Sequence, residues 1–224
     1  MARDVRRAMT GVRELPVLTV GNLALALLGL PLFVFLLGTF NVDIPAVWSI
    51  GIQWVLAAFV VGIAMGGEGL SVSDIGFRKP GWIDLGYIAL TSVVVLLVFS
   101  LTDPVVESLG LPVQEGAGVM SAGVGFGVAI ARAVTTGIVE EILYRGYPIE
   151  RLLSVTDSPL IAGVATWIVF TLAHSVSWPI GNLVQVALVA AVFTVVYLRR
   201  RTLVPVIGAH VFVWVFSVLG QFYG

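Results

Sequence analysis

The chain has 224 residues, of which 58% are hydrophobic and 11% charged, with net charge −1 and a mean hydropathy of +1.05. Soluble domains carry about 25% charged residues, so this composition excludes a soluble domain and implies an all-α, polytopic membrane protein. The absence of cysteine excludes disulfides, thiol catalysis and thiolate metal sites.

A spanning helix needs roughly 20 apolar residues, and about seven stretches of the sequence qualify. The first, 16–40, runs too far for the apolar core of a signal peptide, about 7–15 residues, and reads as a membrane span. The others are 47–66, 85–101, 122–147, 159–177, 180–198 and 203–222. The longest links, 67–84 and 102–121, carry Pro and Gly as loops do. No soluble insert is large enough to fold alone, so residues 1–224 form a single transmembrane domain. Two G-x-x-x-G patterns, Gly62–Gly66 and Gly123–Gly127, suggest close helix packing on the second and fourth spans.

Lys and Arg favour cytoplasmic loops. Arg3, Arg6, Arg7 and Arg13 place the N-terminus in the cytoplasm, and alternating spans then bring Arg78, Lys79, Arg145, Arg151, Arg199, Arg200 and Arg201 to the same side. The outward loops hold Asp43, Asp103, Glu107 and Glu115 and no Lys or Arg. The expected location is the cell membrane, multi-pass, with the lipid bilayer as surroundings and no nucleic-acid partner.

A charge at mid-bilayer costs at least ~2.5–3.5 kcal/mol on insertion scales, so ionisable residues inside spans face a partner or a wet cavity. Here they are Arg132, Glu140, Glu141 and Arg145 on the fourth span, His174 on the fifth and His210 on the seventh. Glu141 and Arg145 stand four apart and can pair on one helix face. Glu140 lies about 100° away and points elsewhere. Phe170 precedes His174 by one turn. Arg132, about two turns before Glu140, can snorkel, pair with a carboxylate, or line the same cavity for a substrate carboxylate. A carboxylate and two imidazoles converging from three helices suit water activation: the acid takes a proton, and the histidines orient water, stabilise an oxyanion or hold a metal. Each also has a plainer reading, Glu140 as a rim carboxylate and His174 as an interfacial histidine. Depth sets a tension, since Glu140 and His210 lie about 10 Å from the cytoplasmic ends of their spans while His174 counts about 22 Å from Pro159.

"EEILYR", "FTLAH" and the late "AHVFVW" match in order the motifs E-E-x-x-x-R, F-x-x-x-H and a third histidine motif. On successive helices they resemble the CPBP (Abi) family, intramembrane proteases that include CAAX prenyl endopeptidases and bacteriocin-processing or immunity proteins. The resemblance covers residues 120–224, the motif-bearing core. It implies Glu140 as water-activating base, Glu141 and Arg145 as a supporting salt bridge, His174 as the second catalytic residue, and His210 as metal ligand or oxyanion stabiliser. Phe170 would pack beside the site. A zinc held by Glu140, His174 and His210 and a metal-free glutamate mechanism both remain open. Trp214 stands where the family has Asn or Asp; an indole N–H donates a hydrogen bond but ligates no metal. The implied activity is an endopeptidase acting on membrane-embedded or lipidated peptides at a cavity open to the cytoplasm. The alternative is a non-catalytic family member, or an immunity- or transporter-like membrane protein using the same groups as a proton relay.

Overall fold

The computed structural model describes residues 15–114 and 120–224. Arg3, Arg6, Arg7, Arg13 and Glu115 lie outside the described residues. Among those described there are helices and no strands: α1 (Val17–Thr39), α2 (Ala46–Gly62), a π-helical turn (Ile63–Gly67), a 3-10 turn (Val72–Ile75), α3 (Trp82–Ser108), α4 (Phe126–Glu141), a second π-helical turn (Ile142–Gly146), α5 (Tyr147–Thr156), α6 (Pro159–His174), α7 (Ile180–Arg200) and α8 (Val204–Tyr223). Local chemistry sets many of the boundaries. Pro16, Pro45 and Pro179 stand at N-caps, and Pro148, Pro159 and Pro205 sit in first turns, where a missing N–H costs nothing. Ser158 Oγ accepts the Ile161 N–H (3.3 Å) to open α6.

Five helices are long and apolar enough to cross a membrane: α1, α2 with its π-turn, α3, α7 and α8. The other two rods are α6, a shorter apolar helix, and a continuous helical run from Phe126 to Thr156 through α4, the π-turn and α5. The fold is therefore all-α and polytopic, and the expected span boundaries shift in places. The third span extends to Ser108 and the fifth stops at His174. The fourth begins at Phe126 and runs past 147, because the π-turn carries the helix onward into the amphipathic α5.

Lipid gives helices no hydrophobic reason to associate, so small residues that let backbones meet decide the packing. The G-x-x-x-G glycines do not play this part: a Cβ built on Gly62, Gly66, Gly123 or Gly127 would meet nothing within 4 Å, and Gly123 sits before α4 with φ +64°. Gly137 does. A Cβ there would stand 2.7 Å from the Val211 side chain and 2.8 Å from its backbone N, so α4 lies directly against α8. At the end where α3 begins, the 3-10 turn buries Ile75 fully. Gly76 follows with φ +93°, where a Cβ would meet the Tyr197 hydroxyl at 2.5 Å. The Leu203 N–H donates to the Gly76 carbonyl (2.9 Å), and the Leu203 side chain crowds Gly146. This loop starts α8 level with Gly146 rather than with the end of α5.

Candidate active site

The α4 residues Arg132, Thr136 and Glu140 and Tyr144 of the following π-turn, spaced by four, all line one cavity of about 1760 Å³. The neighbouring stripe, Ala133, Gly137 and Glu141, is buried, with Gly137 and Glu141 turned onto α8. Adjacent carboxylates are thus sent to different surroundings by the ~100° step of a helix.

Glu141 is 0% exposed and is held twice through Oε1: by Arg145 Nη1 at 3.0 Å and by His210 Nδ1 at 2.8 Å. Arg145, 1% exposed, lays its guanidinium 4.0 Å over the Phe170 ring and 5.8 Å from that of Phe193, a cation–π seat in a dry setting. His210 stacks on Phe193 (centroids 5.0 Å, 28°). Its far nitrogen, Nε2, accepts the Trp214 indole N–H at 3.0 Å. Since an indole only donates and a carboxylate only accepts, the network fixes His210 as the neutral Nδ1–H tautomer with both nitrogens engaged.

Glu140 differs in every respect. It is half-buried, faces the cavity and has no hydrogen bond or ion pair to any described residue. His174, also half-buried and facing the cavity, has Nδ1 at 2.8 Å from the Phe170 carbonyl. That carbonyl requires Nδ1–H, so in the neutral ring the Nε2 lone pair is left for another partner. The depth tension resolves with the longer fourth rod. Glu140 lies roughly 24 Å along the helical run from Thr156 and His174 roughly 22 Å from Pro159. Tyr144 and Phe170 meet edge to face at 4.9 Å. Glu140 is one turn beyond Tyr144 and His174 one turn beyond Phe170, both toward the same end of the bundle. The ring is completed by Trp178, 6.3 Å from His174 on one side and 6.3 Å from Trp214 on the other. Phe193, Tyr144, Thr136 and Trp178 are site residues that sequence reasoning missed. For Thr136 and Tyr144 the signal was the four-residue spacing through Glu140, for Trp178 the same spacing from His174, and Phe193 carried none.

Among the described residues no three His, Asp or Glu side chains are grouped closely enough to hold a metal ion. With His210 turned to Glu141 and Trp214, the expected Glu140, His174 and His210 set does not fit a zinc site as it stands. The same two bonds leave His210 without a free N–H for an oxyanion, and Trp214 spends its own on His210.

The cavity mouth also differs from expectation. It is lined by loop residues such as Asp43, Leu111, Ser177 and Trp178, with Met120 beside them, all at one end of the bundle. The opposite end is closed by paired charges: Glu150 takes Tyr197 (2.8 Å), Arg201 (2.9 Å) and Arg78 (3.0 Å), and Glu68 takes Asn22 (3.0 Å), Thr19 (3.1 Å) and Arg151 (3.4 Å). The closed end carries the Arg and Lys loops, so the charge rule turns the mouth outward, not to the cytoplasm. Because the chain has no cysteine, single cysteines can read this directly. In intact cells a membrane-impermeant maleimide should label Ser177→Cys and spare Ser73→Cys; the reverse pattern would return the mouth to the cytoplasm.

Comparison with known families bears on this geometry. Residues 120–216 match the Rce1-like family, type II CAAX prenyl endopeptidase. No curated protein and no solved structure gives a significant match. The Rce1-like stretch opens at Met120, beside Arg132 in the cavity, and runs past Trp214. It thus takes in Glu140, Glu141, Arg145, Phe170, His174 and His210, and agrees with the CAAX-protease resemblance of the three motifs. The residues before it contribute α1, α2 and α3, which wall the cavity through side chains such as Leu37 and Phe99.

Proposed function

We propose that this protein is an intramembrane endopeptidase of the cell membrane that hydrolyses membrane-embedded or lipidated peptides with Glu140-activated water. The observation that carries the reading is the division of labour between adjacent acids: Glu141 is consumed by Arg145 and His210, while Glu140 has no partner among the described residues and lies in the cavity that His174 also lines. The Rce1-like match supports a protease at the level of family.

The chemistry needs no side-chain nucleophile. The Glu140 carboxylate takes one proton from a water while the His174 Nε2 lone pair accepts its other O–H and sets its direction. The water oxygen bonds to the scissile carbonyl carbon, and the C=O electron pair moves onto oxygen. Collapse of that tetrahedral adduct breaks the C–N bond, and the Glu140 carboxyl returns its proton to the departing amine. A carboxylic acid and an amine result, with the base regenerated. Arg145, Glu141 and His210 act as positioning residues: they hold α4 against α8 so that Glu140 stays aimed at the cavity. No step passes through a metal.

The test is cleavage of a prenylated peptide ending in a CAAX sequence by the protein in nanodiscs. The parent should release product, and His174→Ala should be slower by about 100-fold or more. Equal processing by parent and variant would contradict the reading. One observation favours a non-catalytic relative instead, namely the Trp214 N–H on His210 Nε2. That reading expects no product from the parent, and product only when Trp214→Asn frees His210.

A further inference from the structure

The α4 stripe places a cation on the same wall as the base. Arg132 lines the cavity, half-buried, and among the described residues its one hydrogen bond is Nη1 donating to the Met120 carbonyl at 3.2 Å. A guanidinium has five N–H donors, so most of its capacity is unspent, and among the described residues it forms no ion pair. The carboxylates elsewhere in the cavity do not claim it: Asp103 accepts from Gln185, and Asp43 and Glu107 have no hydrogen bond or ion pair to Arg132. An unpaired cation inside a span is costly enough to mark a ligand site.

We infer that Arg132 is the specificity-determining residue that binds the free C-terminal carboxylate of the substrate. The spacing fits a short terminal peptide. Arg132 lies roughly 12 Å from Glu140 along the helix axis, and three extended residues span about 10–11 Å. A substrate laid along the Arg132–Thr136–Glu140 stripe with its carboxylate on the guanidinium therefore presents to Glu140 a bond about three residues from its end. Planar bidentate pairing is the form in which Arg best recognises a carboxylate, and Arg132 lies between the cavity mouth and Glu140, where a chain end can reach it. The inference rests on the endopeptidase reading for what is cut, and its test reads binding rather than turnover.

The probe is a fluorescent prenylated peptide in two forms, free acid and C-terminal amide, titrated against the Glu140→Gln protein in nanodiscs. The acid should bind roughly tenfold or more tightly than the amide. In Glu140→Gln/Arg132→Gln, acid affinity should drop to that of the amide while amide affinity holds, which also shows the variant is folded; Arg132→Lys should keep part of the preference. Equal affinity for acid and amide overturns the inference without any Arg132 variant, as does a preference that survives Arg132→Gln, or no binding of either peptide. If Glu140→Gln still cleaves the acid, the base assignment fails while the acid preference can still be read.

Discussion

Glu140→Gln should fold with the parent's thermal stability and lose peptide cleavage by about 100- to 10,000-fold, the usual range for removing a general base. Stability should hold because Glu140 has no partner among the described residues. The amide has nearly the same shape and cannot accept the water proton. Glu141→Gln is the informative contrast. It keeps its volume but weakens the bonds to Arg145 and His210, so it should lower stability as well as rate. Parallel measurement of cleavage and unfolding separates the two acids. If Glu140→Gln cleaves like the parent while Glu141→Gln is dead and stable, the roles are reversed and the account fails.

Arg145→Ala should destabilise the fold by about 3–5 kcal/mol, as breaking a buried ion pair by removing one partner does. The loss is compound. Glu141 would remain fully buried with only His210 on Oε1, its Oε2 having no partner among the described residues. The Phe170 and Phe193 rings would lose the guanidinium between them, and α4, α6 and α7 meet α8 through this cluster. Glu141→Leu/Arg145→Leu should cost less than Arg145→Ala alone, because no charge is then left stranded. Unfolding in bicelles checks both; a parent-like midpoint for Arg145→Ala would show that the pair carries no structural load.

Much of this was readable before any coordinates because lipid forces polar groups into few places. The Glu141–Arg145 pair follows from i,i+4 spacing, and the divergence of Glu140 follows from one helical step. Phe170 and His174 share a face for the same reason. What sequence hid was long-range or lay at a break in periodicity. The apolar run of the fourth helix stops near 147, where Glu150 and Arg151 interrupt it, yet those residues are absorbed by Glu68, Arg78 and Arg201 in a polar layer that lets the helix continue. That extension, with the π-turn in its middle, is what brings Glu140 level with His174. Of the two bonds that engage His210, the one from Trp214 lies at i,i+4 on the same helix and follows from spacing, whereas the one to Glu141 crosses from α4 to α8 and does not. Close packing was sought in the G-x-x-x-G pairs, whereas on α4 it is Gly137, beside the buried Ala129 and Ala133, that lets the α8 backbone come close, a role that only the neighbour's backbone reveals. The direction of the mouth needed the loop ends assembled around the cavity.

The most direct test of the central claim is an experimental structure of the protein in lipid at a resolution that shows ordered water. The account predicts a water about 2.6–3.2 Å from both the Glu140 carboxylate and His174 Nε2, with Glu141 still on Arg145. Density placing the Glu140 side chain or the His174 ring toward lipid, or leaving the two too far apart for one water to bridge, would contradict it.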